Sequence, residues 1–363
     1  MADALTLDGN NMLDDVEEID NIDKSNMLDV VADFPSQIEK ASEIIKSAEL
    51  ENIYKVDNIV FSGMGGSAIS GDILQAYFRD KIDIPIYVNR QYDLPRWVNK
   101  DSLVFIQSYS GNTEETLSAF KHAYQKRSKI IAITSNGKLE EFCKKRQINL
   151  IKIPQGYQPR AATGFMLFSA LYALIKTGVI RLDIDKEINE TIKIAKEVSQ
   201  NNNKKIEIQK NYAKQLANKI IKKTPQIYSF KYYNPIAKRW CTQFNENSKI
   251  ICRYDEVSES NHNDIVGWSM NPEVTKNFTC ILFRDKAEES VYIEKRLEFM
   301  KKLFKTNAAD TIEIQVKGDK KLAKMIYTMY IGDFLSCYLA IQRKIDPTPV
   351  SIISELKEEL AKI

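Results

Sequence analysis

Two stretches of this sequence carry residues suited to holding an anion. FSGMGGSAISGD (61–72) sets four glycines directly behind an apolar run, and SYSGNTEETL (108–117) offers the hydroxyls of Ser108, Ser110 and Thr113 around a Gly111–Asn112 turn. Glycine lets a backbone come closer to a ligand than a side chain permits. Free amides at the start of a helix attract negative charge. The helix dipole supplies only about 0.3–1 kcal/mol, up to about 2 in good geometry, whereas each hydroxyl bond to a charged phosphate adds about 1.5–3 kcal/mol. The hydroxyls of the second stretch therefore matter more than the dipole, and a phosphorylated small molecule is the expected occupant.

A dinucleotide is the rival occupant. Gly63, Gly65 and Ala68 fit G-x-G-x-x-A between a strand and a helix. The next strand, however, ends IYVNRQYD, with Asn89 and Arg90 where a ribose-binding acid belongs, and Asp93 comes late. A plainer reading makes Ser110 or Thr113 a helix cap, with Glu114 and Glu115 in the first turn. Capping and phosphate binding are compatible. Capping alone leaves unexplained why two such loops lie on successive crossings of one sheet.

Those loops need a scaffold, and the pattern around them supplies one. Apolar runs at 58–63, 84–89, 102–110, 129–135 and 149–154 alternate with helical patterns starting near Ser67, Thr113 and Lys138 and a long one from about Ala161 to Gly178. Short, uniformly apolar strands are expected to be buried on both faces, in a parallel sheet between helices. After a polar interval (199–211) the rhythm returns, with strands at 225–230, 250–257, 277–285 and 311–318 and helices from about Pro235, near 288–305 and at 319–343. The fold class is α/β, with two doubly wound units. The expected division is an N-terminal extension and helix (1–50), a first domain (51–182), a connecting helix and linker (183–224), a second domain (225–345) and a C-terminal tail helix (346–363).

Composition narrows the function classes. The 363 residues hold 52 basic and 49 acidic side chains, a formal charge of +3 that gives no electrostatic case for nucleic acid. Five cysteines without a C-x-x-C pair and only two histidines suggest neither a disulfide framework nor a zinc site. The acidic, polar N-terminus is unlike a signal peptide. Lys176 and Asp333 interrupt the two most apolar long segments, 161–180 and 325–341, so no membrane span is expected. The expectation is a cytoplasmic enzyme that works without a metal or a cofactor.

GMGGSAISGD together with SYSGNTEETL resembles the sugar isomerase (SIS) domain, which binds phosphosugars. YQPRAATGF (157–165), QFNENSK (243–249), EVSESNHNDIVGW (256–268) and DPTPVSIISELK (346–357) extend the likeness over nearly the whole chain. Together they resemble the bifunctional phosphoglucose/phosphomannose isomerase family, in which two SIS domains, each a flavodoxin-like parallel sheet, form a subunit that dimerises. The resemblance implies a metal-independent aldose–ketose isomerase interconverting fructose 6-phosphate with glucose 6-phosphate and mannose 6-phosphate. An isomerase of another phosphosugar, or a SIS-domain sensor that binds without turnover, are the alternatives.

The resemblance also implies residue roles. Ser108, Ser110 and Thr113 grip the phosphate, and Gly66 and Ser67 contact sugar or phosphate from the first loop. Glu246, flanked by Asn245 and Asn247 that would orient it, carries the proton between C1 and C2. Arg160 binds substrate and stabilises the enediolate, as a fixed charge does at developing charge. His262 opens the sugar ring by proton transfer, reaching a site on the partner subunit of a homodimer. Lys357 assists ring opening from the tail helix.

Overall fold

The computed structural model describes residues 11–360 and 362. Its first half holds a parallel sheet of β1 (Asn58–Ser62), β2 (Ile86–Asn89), β3 (Ser102–Gln107), β4 (Lys129–Thr134) and β5 (Asn149–Lys152) in the order β2-β1-β3-β4-β5. The second half holds β6 (Thr224–Ser229), β7 (Arg253–Glu256), β8 (Phe278–Arg284) and β9 (Asp310–Gln315) in the order β7-β6-β8-β9, again parallel. Both sheets follow the flavodoxin-like plan, with the strand order reversing between β1 and β3 and between β6 and β8. Crevices at such points are where doubly wound sheets bind ligands. The second sheet stops one strand short: the chain leaves β9 and enters the helix Lys321–Gln342 directly.

Continuous apolar runs build the central strands. β3 is buried along its length, and β1, β4, β6 and β8 are buried beyond their first residue. The expectation of burial on both faces fails at β2, β5, β7 and β9, which lie at sheet edges and keep exposed positions. One face of the first sheet packs Val60, Val104 and Ile106 against Phe120 and Leu139 of the helices Glu114–Gln125 and Gly137–Arg146. Its other face belongs to a larger core that runs on into the second half.

The axis of that larger core is the helix Lys321–Gln342, buried from Leu322 to Ile341. A helix apolar on all sides belongs in an interior, and this one packs against Asp185–Asn202, Tyr212–Ile220 and Asn234–Glu246. Its Asp333 accepts from Arg239 Nε at 3.0 Å and Nη2 at 2.8 Å. Burial raises the Asp333 carboxyl above its ordinary range, and Arg239 opposes the shift. Arg239 also donates to Thr163 Oγ1 at 2.8 Å and to Arg160 O at 3.0 Å. Arg239, paired with Asp333 inside the second half, thus also holds the first half through Thr163 and Arg160, and removing one partner of a buried ion pair typically costs about 3–5 kcal/mol.

The N-terminal extension is more than a polar lead-in. Residues 1–10 of the expected segment lie outside the described residues. The helices Val16–Ile22, Met27–Ala32 and Phe34–Ser47 put Ile19, Met27, Leu28, Phe34 and Ile38 into the large core. At the other terminus, every residue of the helix Ser351–Leu360 is exposed. Among the described residues no helix is long and apolar enough to cross a membrane.

Candidate active site

The two loops chosen for anion binding meet at the switch point of the first sheet. The helix Gly65–Phe78 begins directly behind β1 with no side-chain cap. Behind β3, the helix Glu114–Gln125 begins after Thr113, whose side chain makes no capping bond. Its hydroxyl lies 3.0 Å from Ser108 Oγ instead. The capping reading therefore fails for Thr113, and the first amides of both helices remain open to a ligand. Ser67 Oγ accepts the Tyr109 amide at 3.3 Å and so ties the first loop to the second. Ser110 Oγ accepts the Asn112 amide at 3.3 Å, inside the second loop. Gly111 turns at φ 68°, and a side chain there would overlap the carbonyl of Asn136. Only glycine suits that position.

The same geometry removes the dinucleotide reading. Asn89, at the end of β2, is buried and donates to Ser62 Oγ at 3.3 Å and Gln91 O at 3.0 Å. Arg90 pairs with Asp72. The position that a ribose-binding acid would fill is thus taken up in closing the strand end.

Gly66 joins this crevice to Arg160, which in turn reaches the second half. A Cβ at Gly66 would lie 2.8 Å from Pro159 O and 2.9 Å from Arg160 Cα, so its backbone sits against the PRA turn (Pro159–Ala161). Arg160 is only 3 % exposed. Its Nε donates to Asn247 Oδ1 at 2.6 Å, and its Nη2 donates to Pro347 O at 2.9 Å and Thr348 O at 2.8 Å. These partners are neutral. Its nearest carboxylate is Glu246, whose Oε2 lies 3.6 Å from Nη1. Burial pulls the guanidinium below its ordinary pKa, and Glu246 opposes that. A buried cation so loosely matched keeps charge to offer a developing oxyanion.

Glu246 ends the helix Asn234–Glu246, with its side chain 27 % exposed beside Arg160. Asn245 and Asn247 do not orient it as expected. Asn245 Oδ1 accepts the Cys252 amide at 3.2 Å, while Asn247 spans from Arg160 to Ser336 Oγ at 2.9 Å. Asn247 is therefore a partner of Arg160. Thr348 is buried next to that guanidinium, and its Oγ1 finds no partner among the described residues. Lys249, which closes the motif QFNENSK, carries no sequence signal that sets it apart from a surface lysine.

Gly66, Ser67, Ser108, Ser110, Thr113, Arg160 and Glu246 are thus brought into one connected region. His262 and Lys357 are not. His262 is exposed between the short helices Val257–Ser260 and Asp264–Gly267, and its ring makes no hydrogen bond to a described residue. The segment is anchored instead through Asp264, which accepts from Tyr228 Oη at 2.6 Å and Trp268 Nε1 at 2.9 Å. Lys357 projects from the exposed tail helix.

Comparison with known proteins identifies the family. Residues 52–156 match the model of the SIS domain, and residues 209–360 match that of the bacterial phospho-glucose isomerase C-terminal SIS domain. The chain is 40% identical over 339 residues to the bifunctional phosphoglucose/phosphomannose isomerase of Caldicellulosiruptor bescii, covering 93% of this chain and 99% of that one. It is 37% identical over 305 residues to that of Aquifex aeolicus, covering 84% and 90%. A crystal structure of a hypothetical protein from Thermus thermophilus shares the fold, with a TM-score of 0.74 at 13% identity over 96% of this chain and 93% of that one. The chain belongs to the bifunctional phosphoglucose/phosphomannose isomerase family.

Proposed function

We propose that the protein is an aldose–ketose isomerase that interconverts fructose 6-phosphate with glucose 6-phosphate and mannose 6-phosphate. The observation that carries this reading is the junction at Gly66 and Arg160. There an anion cradle built by the first half abuts a buried guanidinium and a carboxylate, the latter from the second half. The phosphate accepts from Ser108, Ser110, Thr113 and the open helix amides, with Gly66 and Ser67 alongside. Glu246 takes a proton from C1 or C2 and returns it to the neighbouring carbon. Arg160 faces the enediolate oxygens that carry the charge in between.

Ring opening is assigned to His262 and Lys357, with His262 delivered to the active site of the partner in a homodimer. Support comes from what their segments leave uncovered. Val266, Met270 and Val274 follow His262 with exposed side chains, and Ile352 and Leu356 project from the tail helix. Exposed apolar groups of this kind mark surfaces that another molecule covers. The division into domains at 51–182 and 225–345, a linker at 183–224 and a tail from 346 is part of the same reading. So is a cytoplasmic setting, in keeping with five unpaired cysteines.

The test is to supply fructose 6-phosphate without added metal or cofactor. Both glucose 6-phosphate and mannose 6-phosphate are expected as products. Glucose 6-phosphate alone would narrow the enzyme to one epimer, and no conversion of any hexose phosphate would leave a sensor. Mixing two inactive variants, Glu246→Gln and His262→Ala, is expected to restore activity on subunit exchange. No recovery would contradict a shared site.

A further inference from the structure

The ammonium of Lys249 stands beside the junction without a role so far. Lys249 lies just past the helix Asn234–Glu246 in the left-handed region, at φ 53°. The Ile250 amide bonds back to Phe244 O at 3.2 Å and closes the helix end around it. Such a turn favours glycine, and a residue with a Cβ pays about 1–2 kcal/mol there. The turn folds the side chain back over the helix end. Its Nζ donates to Glu246 O at 2.6 Å, Pro347 O at 2.9 Å and Asn247 O at 3.3 Å. Three donors meet three neutral carbonyls, with no carboxylate among them.

One of these carbonyls is shared. Pro347 O also accepts from Arg160 Nη2 at 2.9 Å, and Arg160 Nη1 lies 3.6 Å from Glu246 Oε2. The contacts close a ring that runs from Glu246 through Lys249 and Pro347 to Arg160 and back to Glu246. It joins the first half, the second half and the start of the tail. Glycine would suit the turn at less backbone strain but would open the ring.

We propose that Lys249 is a positioning residue for Glu246, whose charged form fixes the peptide of the base and the Pro347–Thr348 turn in one arrangement, so that turnover falls when the ammonium loses its proton. The inference rests on Glu246 being the base. A neutral lysine keeps two N–H donors for three carbonyls and brings no charge to the ring. The charged and titratable groups that face it are Arg160 on the first half, Glu246 on its own helix end, Asp346 before the tail and Cys337 on the helix Lys321–Gln342. Partial burial, then Arg160, bring its pKa down to about 8, against the opposing pull of Asp346, Cys337 and Glu246.

The sign of the linkage separates this role from a structural one. An unfolded lysine titrates near about 10.4. Between about pH 8 and that value the unfolded chain holds the proton and the folded chain does not, so this group makes stability rise with pH. Turnover is expected to fall over the same window. A lysine that served only the fold would move both together.

The experiment follows kcat, KM for fructose 6-phosphate and melting temperature from pH 6 to 10 in the wild type, Lys249→Arg and Lys249→Met. In the wild type, kcat is expected to fall above about pH 8 with no matching loss of melting temperature. Lys249→Met is expected to lose at least about tenfold in kcat with KM within about threefold. Lys249→Arg, which stays charged, is expected to recover turnover and lose the alkaline decline. A Lys249→Met enzyme with wild-type kcat, or a wild-type kcat that stays level to pH 10, overturns the inference. The wild-type profile decides the matter should either variant fail to fold. A wild type inactive on fructose 6-phosphate defeats the assignment of Glu246 as well, whereas an active wild type with an indifferent Lys249→Met defeats this inference alone.

Discussion

The two sheets offer the same place for an anion and line it in opposite ways. Behind β3 the loop Ser108–Thr113 presents hydroxyls, and the helix Glu114–Gln125 starts without a side-chain cap. Behind β8 the corresponding loop presents Asp285, Glu288 and Glu289, and Ser290 Oγ caps the helix Val291–Thr306 by accepting the Ile293 amide at 3.3 Å. These carboxylates are already engaged. Arg284 holds Glu289 through two bonds of 2.9 Å, and Asp285 accepts from Tyr233 Oη at 2.6 Å and pairs with Lys324 at 2.9 Å. A phosphate dianion would meet fixed negative charge there. Backbone topology duplicates the crevice, and side-chain charge opens one copy and shuts the other. The second half approaches from the far end of a helix instead, where Glu246 lies beside Arg160.

The comparison is broken most severely at the carboxylate. Glu246→Gln is expected to lower kcat by at least about a hundredfold while isothermal titration still detects fructose 6-phosphate binding. Near-normal turnover would remove Glu246 from the role of base. Next come the open crevice's hydroxyls. On the proposed function, Ser110→Ala and Thr113→Ala each remove a bond to the phosphate worth about 1.5–3 kcal/mol, so KM is expected to rise about tenfold to a hundredfold, with kcat less affected. An unchanged KM in both would move the phosphate elsewhere.

The closed crevice gives the smallest effect on activity. Glu289→Gln leaves the Arg284 charge short of one buried partner, with Glu298 and Glu313 still beside it. Stability is expected to fall by about 3 kcal/mol, read from denaturant unfolding, while KM and kcat stay at their wild-type values. A raised KM would mean that the second crevice also serves the substrate.

Local features of the site were legible in the sequence, and contacts between distant segments were not. Uninterrupted apolar runs gave away the central strands, because burial on both faces leaves no room for polar residues. The composition of the loops after β1 and β3 could be read directly, since their glycines and hydroxyl residues are neighbours in sequence. Arg160 and Glu246 lie far apart in the chain, and no periodicity links them. Only the family likeness joined them. Asn247 looked like a neighbour of Glu246 by adjacency, yet the helix end turns its amide towards Arg160. Lys249 reads as one more surface lysine until its left-handed backbone brings the ammonium onto three carbonyls. The start of the extension looked polar, but Leu13, Ile19, Met27, Leu28 and Val31 enter the large core once the helices form.

The most direct test is a crystal structure of the Glu246→Gln variant with fructose 6-phosphate. The account predicts the phosphate within hydrogen-bond reach of Ser108, Ser110 and Thr113, with C1 and C2 beside residue 246 and the Arg160 guanidinium. A phosphate seated behind β8, or a sugar whose carbonyl end points away from residue 246, would contradict it.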